Sequence, residues 1–103
     1  MTEITNAIIS GTSLEIEDHG IPTCWIYLDY GNASQGFGGY DLRFYGIWFM
    51  FEMMKVLEIS SWDKLKGVPV RVKKDNKDMV ISVGHFVKDK WFTPTDFKKE
   101  SEK

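Results

Sequence analysis

Gly36-Phe37-Gly38-Gly39, with Arg43 close behind, is the stretch of this chain most like a phosphate cradle. Glycines let the backbone approach an anion, and free N–H groups at the start of a following helix attract negative charge. Arg71 and His85 extend the candidate anion- or nucleotide-binding set to Gly36, Gly38, Gly39, Arg43, Arg71 and His85. The stretch lacks the lysine and serine of a Walker loop and the spacing of a dinucleotide fingerprint. A structural reading competes with it: a glycine-rich strand packed tightly beneath an aromatic ring.

The other residue types capable of chemistry are sparse. His19, His85, Cys24 and scattered carboxylates are of the kinds that build metal or nucleophilic sites. No pair stands at ligand spacing, such as i, i+4 on a helix, and no catalytic constellation emerges. The expectation is therefore no enzyme, no catalytic residue, no metal and no cofactor. His85 reads as a hydrogen-bonded structural residue, His19 as a surface turn residue and Cys24 as a small buried hydrophobe. A single cysteine excludes an internal disulfide and a cysteine-based zinc site, which fits a reduced, cytoplasmic setting. Trp25, Tyr27, Phe37, Tyr40, Trp91 and Phe92 are types that stack on bases, yet in so small a chain most aromatics serve the core. With a net charge of -2, direct nucleic-acid binding is not expected.

A different anomaly lies between Phe44 and Leu57. The run is too long for a strand and reads as part of a helix from about Arg43 to Glu58. Phe49, Met50, Met53, Val56 and Leu57 share one face, with Gly46 and Met54 at its margins, and that face should lie on a sheet. Glu52, Lys55 and Glu58 mark the opposite side. Phe44, Trp48 and Phe51 share that side, at a spacing of i, i+4, i+7 that aligns them with Lys55. A helix apolar on both sides is covered on both sides. Phe44, Trp48, Phe51 and Lys55 are thus the candidate partner-binding residues. Their cover is a partner protein, a second copy of the chain, or the chain's own loops.

The elements that position these residues follow from period and punctuation. Ile4 to Glu17 alternates as a strand, kinked or bulged at Gly11. Asp18-His19-Gly20 is a turn, and Thr23 to Tyr30 returns with Cys24, Ile26 and Leu28 on one face and Trp25, Tyr27 and Asp29 on the other. Gly36 to Tyr40 forms a short third strand of unusual backbone. After the helix, Ser60 to Gly67 is a serine-capped turn of helix stopped by glycine. Val68 to Asp75 is a strand with Val68, Val70 and Val72 inward and Arg71 and Lys73 outward. Asp75 to Asp78 turns the chain, and Met79 to Val87 returns. Because Met79 to Val87 is apolar on both sides, it is expected at the centre of the sheet. The order βββαββ gives the α+β class: an antiparallel sheet of about five strands with one main helix on one face.

The chain's 103 residues suffice for one domain, expected over residues 1–92, with a charged tail over 93–103. At 43% hydrophobic and 15% aromatic it lies outside the disordered range. No secretion signal opens the chain, and the apolar run around Trp48 is shorter than the roughly 20 residues that span a bilayer. No membrane partner is expected: a span is excluded, and for an interfacial helix, the alternative left open, the single charged pair Glu52 and Lys55 is a poor polar face.

Several segments match a known pattern: Ile4-Thr5-Asn6-Ala7, Glu17-Asp18-His19-Gly20-Ile21, Gly36-Phe37-Gly38-Gly39-Tyr40-Asp41-Leu42, Trp62-Asp63-Lys64-Leu65-Lys66-Gly67, Val70-Arg71-Val72 and Ile81 through Phe92. On these, the chain resembles a family of small, mostly uncharacterised proteins carried by bacteriophages and prophages. The segment before the helix is shorter and more aromatic than the family pattern, which points to a specialised helix face. The resemblance implies an accessory protein, in the cytoplasm of an infected bacterial host, that counters antiviral defence. Two mechanisms follow. In one, the aromatic helix face docks on and blocks a host immune protein such as a CRISPR effector (anti-CRISPR-like). In the other, the glycine loop with Arg43, Arg71 and His85 sequesters a phosphorylated or cyclic signalling nucleotide. Enzymatic degradation of such a nucleotide is a third and weaker reading.

Overall fold

β1 (Glu3–Ile16) is the strand on which the sheet turns. Its first half pairs with β4 (Pro69–Lys74), from Glu3 opposite Lys74 to Ile8 opposite Pro69. Its second half pairs on the other edge with β2 (Pro22–Asp29), from Ile8 opposite Asp29 to Ile16 opposite Pro22. The register shifts between Ile9 and Gly11, the bulge expected at that glycine. β3 (Ser34–Asp41) lies outside β2, while β5 (Val80–His85) and the two-residue β6 (Trp91–Phe92) lie outside β4. The result is one antiparallel six-stranded sheet in the order β3-β2-β1-β4-β5-β6. This computed structural model describes residues 3–31 and 33–95; residues 96–103, most of the expected charged tail, lie outside the described residues.

The α+β class and the βββαββ order hold, with β6 as an added strand. The helical stretch is in two parts: a π-helical turn over Leu42–Gly46 runs into α1 (Ile47–Leu57). A glycine is required where they join. A Cβ on Gly46 would stand 2.8 Å from the carbonyl oxygens of Tyr40 and Asp41, so only glycine lets the helix leave β3 this closely. At the other end Glu58 takes the left-handed conformation (φ 58), and the Ile59 N–H reaches back to the Met54 carbonyl at 3.0 Å. These are the marks of a Schellman stop.

α1 buries Phe49, Met53, Val56 and Leu57 against the sheet, as its 3.6-residue period predicts. Cys24, Ile26, Leu28, Val70, Val72 and Val83 meet them from the strands. Phe49 is the hub, its ring centroid 5.1 Å from Tyr40, 5.6 Å from both Phe37 and Phe92, and 6.4 Å from Trp62. The 3-10 turn Trp62–Leu65 closes one end of this core with Leu65.

β5 does not sit at the sheet's centre; it lies next to the two-residue edge strand. Its second face is buried by the chain that follows it. Trp91 covers Gly84, while Ser82 Oγ donates to the Phe92 carbonyl at 2.9 Å and accepts from Thr93 Oγ1 at 2.9 Å. Burial on both faces came from this return, and the flanking Met79, Phe86 and Val87 are exposed.

Candidate functional site

The face of the helical stretch turned away from the sheet is apolar and open. Phe44 is 71% exposed, Ile47 54%, Trp48 42% and Phe51 62%, and Lys55 is exposed beside them. Asp41 sets where this face begins, because its carboxylate accepts from the Arg43 N–H at 2.9 Å and caps the first turn. Ile47 belongs to the face although sequence reasoning did not single it out. At about 100° per residue it lies roughly 40° from Phe51 on the same helix, and that spacing was the available signal. A shallow hollow lined by Phe51, Met54, Lys55, Glu58, Ile59 and Ser60 continues the face toward the helix C-terminus.

The six anion candidates fall into two groups. Gly36, Gly38 and Gly39 lie on β3 at one edge, where the Trp25 ring covers Gly36 and Gly39. A Cβ on Gly36 would meet Trp25 at 3.1 Å, and one on Gly39 at 2.7 Å. On Gly38 it would meet the Cys24 carbonyl oxygen at 2.6 Å, so a larger residue there disrupts the strand as well as any loop function. Arg43, on the same side of the molecule, is held by Asp41, its Nε at 3.0 Å and its Nη2 at 2.8 Å from the two carboxylate oxygens. That hydrogen bonding keeps the Asp41 carboxyl below its ordinary value.

Arg71 and His85 stand together near the opposite edge. Arg71 donates to the carbonyls of His85 (3.0 Å) and Lys88 (2.9 Å), and its guanidinium lies 4.9 Å from the Trp91 ring. His85 Nδ1 accepts from the backbone N–H groups of Val87 and Lys88 at 3.1 and 3.0 Å. Both residues thus brace the β5–β6 turn. β2 and β1 separate the glycines on β3 from Arg71 on β4, and β4 lies further between them and His85 on β5, so the six do not converge on one point.

Sequence reasoning did not find the ionic cluster at the end of α1. Lys88 Nζ donates to both Glu58 carboxylate oxygens at 2.9 and 2.8 Å, and Lys90 Nζ donates at 3.1 Å. These bonds hold the Glu58 carboxyl down to about 2. The partners are some 30 residues apart in sequence, so local pattern gives no signal for them. Cys24 is fully buried, its Sγ 3.4 Å from the Gly46 carbonyl, and burial pushes its thiol up to about 11. A thiol so placed is a packing residue rather than a nucleophile.

Among the described residues no group of three or more His, Cys, Asp and Glu side chains is arranged to hold a metal ion. No helix of the described residues is long and apolar enough to cross a membrane. Comparison of the chain with protein-family models, with curated proteins and with solved structures gave no match.

Proposed function

We propose that this protein is a non-enzymatic docking module that works by binding another protein through the open face of α1. The observation that carries the reading is the run of Phe44, Ile47, Trp48 and Phe51, exposed together on the side that a surface helix ordinarily gives to polar residues. Large apolar side chains one turn apart are the anchors by which a helix seats in a partner's groove. The motif resemblance to phage accessory proteins supplies the biological setting: the partner is a bacterial immune protein such as a CRISPR effector, and docking blocks it. A second copy of the chain is the competing occupant of the same face.

The nucleotide-sponge alternative has less support. Gly36 and Gly39 carry the Trp25 ring, Gly38 packs against the Cys24 carbonyl, Arg43 is engaged by Asp41, and Arg71 with His85 lies across the sheet.

The test is phage plaquing on a bacterial host with an active CRISPR system, with and without the expressed protein. Expected is restored plaquing by wild type and its loss on Phe44→Ala or Phe51→Ala, since truncating a hot spot commonly costs 2 kcal/mol or more, about thirtyfold in affinity. Full activity of both variants would reject the helix face. Sedimentation of a concentrated wild-type dimer that Phe51→Glu dissolves would assign the face to a second copy instead.

A further inference from the structure

Trp25 and Trp91 each lay an indole on strand glycines, Trp25 on Gly36 and Gly39, Trp91 on Gly84. They differ in what meets the other face of the ring. Lys73 Nζ at 4.1 Å and the Arg71 guanidinium at 4.9 Å stand over Trp91. Against the half-buried Trp25 the described residues bring no cation and one ring, that of Tyr27, whose plane lies within 6° of its own at a centroid distance of 6.5 Å. Trp25 lies over β3. Tyr27 leans toward β1, where its Cδ2 is 4.0 Å from the Cβ position of Gly11 and its hydroxyl donates to Glu15 Oε1 at 2.7 Å. The two rings are therefore side by side, and they alternate along β2 with Cys24, Ile26 and Leu28, which belong to the core beneath α1. They make a flat aromatic floor on the face of the sheet turned away from α1. Ser13 completes its border, donating to Glu15 Oε1 at 2.6 Å and lying 3.0 Å from the Tyr27 hydroxyl. Both hydroxyls bond to Oε1, which leaves Oε2 of this exposed carboxylate for an incoming donor.

We propose that this floor binds a neutral sugar chain: a β-linked pyranose ribbon whose hydroxyls are equatorial. Such a ring turns C–H groups to its flat face, and their partial positive charge meets the negative face of an aromatic ring. Its hydroxyls radiate from the edge, where Glu15 Oε2 accepts a charge-assisted hydrogen bond. Nucleobases also stack on aromatic rings, but a strand of nucleotides brings phosphates, and the ionised group bonded to this floor is a carboxylate. The cations Arg71 and Lys73 stand on β4, beyond β1, and Arg43 is held by Asp41. An apolar partner would dehydrate Ser13, Glu15 and the Tyr27 hydroxyl without giving them new donors. Linkage decides between sugars. An extended β-linked chain lies flat across two coplanar rings, whereas a coiling α-linked chain touches one of them.

The probes are cellotetraose, maltotetraose and a single-stranded thymidine tetranucleotide, titrated into the full chain and followed by NMR at the Trp25 indole N–H. Expected is a saturable shift with millimolar affinity for cellotetraose, the other two probes each being at least about fivefold weaker. Trp25→Ala would disturb the packing of β2 on β3, so the variant is Glu15→Gln, at an exposed position. It should lower cellotetraose affinity by about fivefold, because a neutral amide is the weaker acceptor. Phe51→Ala, on the opposite side of the sheet, should titrate as wild type. Equal affinity for cellotetraose and maltotetraose overturns the proposal, as does equal or tighter binding of the nucleotide. So does an unaffected Glu15→Gln variant, or no saturable shift at tens of millimolar cellotetraose.

Discussion

Trp91 covers Gly84 across the β5–β6 pair, so closely that a Cβ on Gly84 would lie 2.5 Å from the indole Cε3 and 2.6 Å from Cδ2. The same device recurs near the other edge of the sheet, where Trp25 stands opposite Gly38 and lies over Gly36 and Gly39. In each case a large ring fills the space that a strand glycine leaves open, which restores cross-strand packing where the glycine offers none. The outer face of Trp91 is then used by cations: Lys73 Nζ lies 4.1 Å and the Arg71 guanidinium 4.9 Å from its ring. Gly84, Trp91, Arg71 and Lys73 form one stack that fixes the last hairpin, and with it the Phe92 ring in the core.

Adding a single methyl at Gly84 should therefore be costly. Gly84→Ala forces the indole to move, and overpacking of this kind costs about 1–3 kcal/mol. Gly11→Ala is the control, because a Cβ there meets nothing nearer than Tyr27 Cδ2 at 4.0 Å. Its effect should stay within about 0.5 kcal/mol, as for ordinary surface changes. Urea unfolding of both variants checks this, and equal losses would refute the ring-over-glycine account.

The Glu58 cluster makes stability depend on pH in a definite direction. Lys88 and Lys90 depress the folded carboxyl to about 2, against 4.5 for the unperturbed group. A depressed carboxyl contributes stability that is fully present above the unfolded value and is lost as pH falls toward the folded one. The Tm gap between wild type and Glu58→Gln should be constant above about pH 5 and close as pH drops toward 2. All three side chains are partly open to water, so high salt should narrow the gap at neutral pH. A gap that widens on acidification would contradict the assignment.

The parts of the fold written in short-range pattern were legible. The inner face of α1 followed from its 3.6-residue period, the β1 bulge from Gly11, and the tight turns from Gly20 and from Asp75 to Asp78. What the pattern could not carry was lateral order. β6 has two residues and so no period to read. The place of β5 depended on Trp91 and Thr93 covering its outer face, a contact that apolar composition cannot distinguish from central burial. The same gap explains the candidate sites. Phe44, Trp48 and Phe51 lie on one continuous helical stretch, the π-helical turn running into α1, so their common side was readable. Arg43 follows β3 and Arg71 is on β4, with the two strands β2 and β1 between, and spacing in sequence says nothing of that separation.

The two sides of α1 can be compared by one substitution made two residues apart. Phe49 is buried and touches four other rings, whereas Phe51 is 62% exposed on the opposite side. Phe49→Ala removes the hub of the core and should cost about 3–5 kcal/mol, a large part of the total stability of a domain this size. Phe51→Ala removes a ring that already meets water, and should change stability by no more than about 0.5 kcal/mol. Both variants carry the same change in helix propensity, so the difference between them isolates burial. Chemical denaturation gives the two free energies, and circular dichroism confirms that Phe51→Ala keeps its helix. If Phe51→Ala proved as destabilising as Phe49→Ala, its ring would be a covered part of the fold. The open face of α1 would then lose its standing as a docking surface.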